Sequence, residues 1–179
     1  DIKSVTLRPV QQVSNMIAAL GSGQVDATIA IASQAKALVA AGQGHILGWA
    51  GDVVPYQLTA GFTTTGMIAG KPDLLQRFAK AYGRGVTDYR AAFLRLDPQG
   101  KPVQDAKTDA AIAQITKYVF TGDPDARTKI LNGVGYYDAN GALDVSDVIN
   151  QVNWFKAQGL VKGDTDPKAM IDTRFLPTR

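Results

Sequence analysis

The sequence predicts an α/β fold, a βαβαβ doubly wound unit followed by a helical C-terminal part, and three observations lead there. Residues 17–30 read as a helix end, a glycine stop at Gly21 and Gly23, and a buried strand opening with Val25-Asp26-Ala27. Short apolar runs recur at 2–7, 25–31 and 45–49 with helical periodicity between them, the pattern of parallel strands joined by crossover helices. Charge is sparse through residue 66, with three basic and three acidic side chains, and becomes dense and helix-patterned beyond Gly70.

Strand 2–7 leads into a helix over 9–20, where Val10, Val13, Met16 (or Ile17) and Leu20 supply the apolar stripe, Pro9 suits the first turn and Gly21 the exit. Strand 25–31 is apolar except for Asp26 and Thr28, as expected when both faces are covered. Ser33 caps a helix 34–41 that Gly42 ends, and strand 45–49 completes the unit. Lys71-Pro72-Asp73 starts a long helix over 72–95 whose stripe is Leu75, Phe78, Tyr82, Tyr89 and Phe93. Residues 98–102 form a turn, and helices follow over 107–120, 124–132 and 145–158, the last capped by Asp144 or Ser146 and stopped by Gly159.

Composition excludes several chemistries. No cysteine occurs, which removes disulfides, thiolate metal sites and a cysteine nucleophile, and the one histidine, His45, disfavours a histidine zinc site or a Ser-His-Asp triad. All 16 acidic residues are aspartate, and no two are placed together as a carboxylate pair would need. Asp123, Asp125, Asp138 and Asp144 sit at helix starts or turns, where aspartate caps backbone donors. Residues 71–101 hold seven basic and three acidic side chains, but no interleaved aromatic residue or recognition motif accompanies them. With Asp73–Arg77 and Arg84–Asp88 spaced for pairing, this stripe reads as a solvated helix face and not as a nucleic-acid surface. No apolar run reaches the length of a membrane span, and no enzyme activity, metal or cofactor is expected.

Ligands of open α/β sheets bind at strand carboxyl ends, so the candidate binding residues lie there. Arg8, Gln11 and Gln12 span the turn into the first helix, where free N–H groups would receive a carboxylate, sulfonate or phosphate. Ser33 and Gln34 occupy the equivalent turn one strand later. Trp49 either stacks on a ligand or fills core, and Asp52 and Gln57 follow in a Gly- and Pro-containing crossing that serves as ligand contact or hinge.

A family resemblance joins these segments. The runs Ala18-Ala-Leu-Gly-Ser-Gly-Gln-Val-Asp-Ala27 and Ile46-Leu-Gly-Trp-Ala-Gly-Asp-Val-Val-Pro-Tyr-Gln-Leu58 resemble periplasmic substrate-binding proteins of ABC importers, of the nitrate/sulfonate/taurine type. Phe62-Thr-Thr-Thr65, Leu75-Gln-Arg-Phe-Ala-Lys-Ala-Tyr82, Asp88-Tyr-Arg-Ala-Ala-Phe93, Trp154-Phe-Lys-Ala-Gln-Gly-Leu-Val-Lys-Gly163 and Ile171-Asp172 continue it in the family's order. The resemblance implies a type II periplasmic-binding fold of two lobes, with a small organic anion such as a sulfonate, carboxylate or aromatic acid held between them. It further implies a periplasmic or other extracytoplasmic location, with a lipid anchor upstream as one form of it, and delivery to a membrane permease as partner. On that frame residues 1–56 are the second-lobe α/β unit, 57–70 the hinge crossing strand, and 71–179 the helical part returning to the first lobe, the N-terminal half of which is expected upstream of Asp1.

Two other readings use the same lobed fold. One is the ligand-sensing effector domain of a transcription regulator. The other is a pyrimidine-precursor enzyme, disfavoured because that chemistry as the family is known relies on cysteines and histidines.

Overall fold

The computed structural model describes residues 4–54 and 56–179, and among them it is helical. Eight α-helices run in chain order: α1 (Val13–Gly21), α2 (Ala32–Ala40), α3 (Ala50–Val53), α4 (Thr65–Gly70), α5 (Pro72–Phe93), α6 (Ala106–Ile115), α7 (Ala126–Asn132) and α8 (Val145–Ala157). The predicted α/β fold is not formed. Among the described residues there is no sheet, only two isolated bridges, antiparallel Leu96–Pro102 and parallel Leu143–Thr178. Expected strands 25–31 and 45–49, and the described part of 2–7 (residues 2 and 3 lie outside the described residues), carry no ladder. The doubly wound βαβαβ lobe, and with it the type II periplasmic-binding architecture, is therefore corrected to a helical arrangement. Strand-prone side chains hold a strand only when a neighbour takes up their backbone groups, and no such neighbour is present among the described residues. The apolar side chains of these segments stay in solvent, with Ile29 81% and Leu47 92% exposed, as does Phe62 at 99%.

The helices divide into two compact units, residues 1–52 with 114–135 and residues 53–113 with 136–179. In the first, α1 packs on α2 and α2 on α7. The buried side chains there are small or single: Ala19, Leu38, Ala126 and Ile130. Helix α1 begins at Val13 and not near Pro9, because Gln11 takes a left-handed backbone (φ 63°) and Gln12 an extended one (φ −124°, ψ 142°). The helix ends at Gly21, and Gly23 then turns the chain at φ 70°.

In the second unit α5 is the spine. Pro72 near its start and Asp73 in its first turn set the N-terminus as expected, and the helix runs 22 residues. Its inward stripe is Leu75, Ala79, Tyr82, Val86, Tyr89 and Phe93, of which Ala79, Val86 and Phe93 are buried and the others half-buried. Phe78 stays 64% exposed and only stacks near Tyr82, at 6.5 Å between ring centroids. Gly83 and Gly85 lie inside the helix. A tight turn follows, with Asp97 Oδ1 accepting from Gln99 N (2.9 Å) and Lys101 N (2.8 Å) and Gly100 at φ 77°. Helix α6 is then tied back by Thr108, 1% exposed, whose Oγ1 donates to the Ala92 carbonyl at 2.8 Å. Asp105 caps α6 by accepting from Lys107 N (3.0 Å) while it pairs with Arg95 at 2.7 Å. That guanidinium holds the exposed Asp105 carboxyl below its ordinary pKa.

Helix α8 is capped by Asp144, whose carboxylate accepts from Asp147 N at 2.9 Å. The C-terminal residues lie beside that start: Leu143 N donates to Pro177 O and Arg179 N to Leu143 O, both at 3.0 Å. Arg179 also pairs with Asp138 (3.0 Å) and Asp144 (3.2 Å). The turn before α8 packs on α5 through two successive left-handed residues, Asn140 (φ 57°) and Gly141 (φ 69°). A Cβ at position 141 would collide with the Tyr82 ring.

Gly141→Ala combines that collision with a strained φ, so it should lower stability by about 2–4 kcal/mol in urea unfolding. Asp172 gives a pH-dependent marker. Arg174 grips its carboxylate at 2.9 and 2.5 Å, which lowers the Asp172 pKa to about 2. The ion pair's contribution is full above the usual carboxylate range of about 4 and is lost as pH falls through about 2. Carbon-13 NMR titration should place the Asp172 midpoint near 2, and Arg174→Gln should return it toward the usual range. Since the pair lies at the surface with Arg174 exposed, urea midpoints should shift little with the substitution.

Candidate functional site

Five of the eight predicted binding residues fall at two helix starts of the first unit. Arg8, Gln11 and Gln12 precede or cap α1, and Ser33 and Gln34 lie in the first turn of α2. Neither helix has a side-chain cap: Gln12 and Ile31 hold the N-cap positions of α1 and α2 without a side-chain hydrogen bond. Ser33 is therefore not the cap that the sequence predicts, because α2 begins one residue before it, at Ala32. Uncapped first turns leave backbone N–H groups directed out along the helix axis, where the macrodipole adds positive potential. Those of Val13, Ser14 and Asn15 in α1, and of Ala32 and Ser33 in α2, find no acceptor among the described residues.

The side chains around these starts behave differently from one another. Arg8 donates from Nη1 to the Gln24 carbonyl at 2.9 Å, which fixes its guanidinium beside the chain that leaves α1. Gln11 and Gln12 are exposed, and the left-handed backbone of Gln11 is an uncommon state for a residue with a Cβ. Gln34 is half-buried, and its Oε1 is sealed from solvent without a hydrogen-bond partner. A buried amide oxygen with no donor is destabilising until a donor reaches it. No hydrogen bond, ion pair or ring contact joins Arg8, Gln11 or Gln12 to Ser33 or Gln34 among the described residues; packing of α1 on α2 is what they share.

Trp49, 40% exposed, and the exposed Asp52 frame the short helix α3, with Asp52 N donating to Trp49 O at 3.1 Å. Gln57 belongs to the second unit, where it docks on the start of α8. Its N–H donates to Asp147 Oδ2 (2.5 Å), its Oε1 accepts from Asp144 N (3.0 Å), and its carbonyl accepts from Gln151 Nε2 (2.9 Å). All of these bonds are internal, so Gln57 is a structural clamp. Its partners Asp147 and Gln151 lie 90 and 94 residues away, which is why no local signal in the sequence points to them.

The second unit also carries a groove of about 510 Å³ along α5, facing the C-terminal residues. Lys80 and Arg84 line it. The sequence reading paired Arg84 with Asp88 and Arg77 with Asp73, but neither ion pair forms among the described residues. Among the described residues no group of His or Asp side chains is arranged to hold a metal ion, and no helix is long and apolar enough to cross a membrane.

Replacing Gln57 by Ala removes the acceptor for Asp144 N while leaving the backbone bonds in place. The urea-derived stability should fall by about 1 kcal/mol. An unchanged stability would return Gln57 to the ligand-binding candidates. No protein-family model, curated protein or solved structure matches this chain.

Proposed function

We infer that the chain is an extracytoplasmic solute-binding protein, or a segment of one, that holds a small organic anion and passes it to an ABC permease. The reading rests on a resemblance: the order of its residue runs, from Ala18–Ala27 through Ile171-Asp172, resembles that of nitrate/sulfonate/taurine-type binding proteins. With no sheet among the described residues, helix starts take the place of strand ends as the anion-binding positions. The uncapped N–H groups of α1 and α2 and the orphaned Gln34 Oε1 lend it support: the former would donate to a carboxylate or sulfonate, and the latter would accept from a ligand hydroxyl or amine. Arg8 supplies the nearest full positive charge in sequence to the α1 start. A composition without cysteine and with one histidine suits binding better than acyl-transfer or thiol chemistry.

Isothermal titration calorimetry against taurine, alkanesulfonates, benzoate and short carboxylates checks the reading. At least one member should bind with a dissociation constant in the micromolar range, about −7 to −8 kcal/mol. Arg8→Gln should weaken that ligand roughly fivefold to twentyfold, on the scale of about 1–2 kcal/mol for one charge-assisted contact. No heat with any anion in the panel sinks the proposal.

A further inference from the structure

The groove on α5 stands apart from the helix starts assigned above, and its charge pattern is unusual for a solvated helix face. Lys80, Arg84 and Asp88 follow one another at four-residue spacing on one row of α5, and all three are exposed. None of their three side chains has a hydrogen bond, ion pair or ring contact among the described residues. The backbone positions of the two cations thus lie about 6 Å apart along the helix axis, with that of the carboxylate about 6 Å further on. Beside that row Ala79, with only a methyl group, and Gly83, with no side chain, line the groove. The opposite wall is Phe175, Leu176 and Pro177, an apolar run held in place because Pro177 O and Arg179 N bond to Leu143.

We propose that this groove docks an extended protein segment in which aspartates alternate with apolar residues. In an extended chain, side chains two residues apart point the same way and lie about 6.6–6.8 Å apart. That repeat matches the Lys80–Arg84 spacing, so two alternate carboxylates meet the two cations while the intervening apolar side chain turns to Phe175, Leu176 and Pro177. Asp88 repels a further carboxylate at its end of the row and thereby sets the register in which the segment lies. A small ligand would be left wet here, because most of the groove's lining is exposed, whereas small-molecule sites enclose most of their ligand. A peptide gains instead from length, with charge pairs at the rim and apolar burial along one wall.

Fluorescence anisotropy with a labelled, end-blocked peptide DLDFD tests the assignment on the whole chain. The peptide should bind saturably, while DDDLF, of identical composition with the alternation broken, and NLNFN, without charge, should each bind at least tenfold more weakly. Lys80→Gln with Arg84→Gln should weaken DLDFD at least tenfold, and the charge-matched pair Lys36→Gln with Lys107→Gln should leave it within twofold. All four side chains are exposed, so each variant should keep its helix content, checked by circular dichroism. Equal binding of DDDLF, an unchanged affinity in the Lys80/Arg84 variant, or no saturable binding of DLDFD overturns the proposal. So does tighter, Lys80/Arg84-dependent binding of an oligothymidylate, which would make the row a general polyanion surface. The anion panel reads different residues in the other unit, so either proposal can fail without the other.

Discussion

Almost everything in the second unit depends on covering one stripe of α5. A helix of 22 residues is about 33 Å long, and an amphipathic helix of that length is stable in water only when its apolar face is packed. The stripe is built from residues of very different size, and each covering element answers to a particular one. Where it carries Tyr82, the chain must come close with no Cβ, and Gly141 does so. Where it ends at Ala92 and Phe93, the helix is small enough for Thr108 to approach and donate to the Ala92 carbonyl. That bond is short, buried and made to a carbonyl of the helix's last turn, which α5 cannot satisfy by itself. It settles where α6 starts, and the Asp105 cap and its Arg95 ion pair follow from it.

Helices were legible in this sequence because their signals are local. Pro72 and Asp73 mark the start of α5, Asp144 caps α8, and Gly159 turns the chain at φ 69° after it, as read from neighbouring residues alone. The strands were not legible in the same sense. Val25 to Ile31 and Ile46 to Trp49 have strand composition, but a strand is defined by a partner, and nothing within a run of seven residues says where one will come from. The error then propagated. Strand ends were expected to position Arg8, Ser33 and Trp49, whereas helix starts position the first two and Trp49 merely precedes a one-turn helix.

The same distinction divides the candidate site residues. Residues near a helix start keep their chemical meaning whether a strand or a loop precedes the helix, since the free N–H groups belong to the helix. Arg8, Gln11, Gln12, Ser33 and Gln34 all lie at helix starts, although no sheet forms among the described residues. Gln57 lies elsewhere, and its bonds to Asp144, Asp147 and Gln151 arise from packing that joins distant parts of the chain. The expected Arg84–Asp88 pair fails for the converse reason. Four-residue spacing to an aspartate reads as an ion pair on paper, but an exposed pair of this kind is worth only a few tenths of a kcal/mol, too little to impose a rotamer.

The bare apolar segments have a consequence for how the protein behaves in bulk. Ile29, Leu47 and Phe62 stand in solvent on stretches of backbone whose donors and acceptors are taken by no ladder. Such stretches, rich in valine, isoleucine and threonine, are templates for pairing between molecules. A formal charge of only +3 spread over 179 residues supplies little mutual repulsion to oppose it. Colloidal stability of this chain is thus set less by the strength of its helices than by encounters between its unpaired segments, and it will be governed by concentration and ionic strength before temperature.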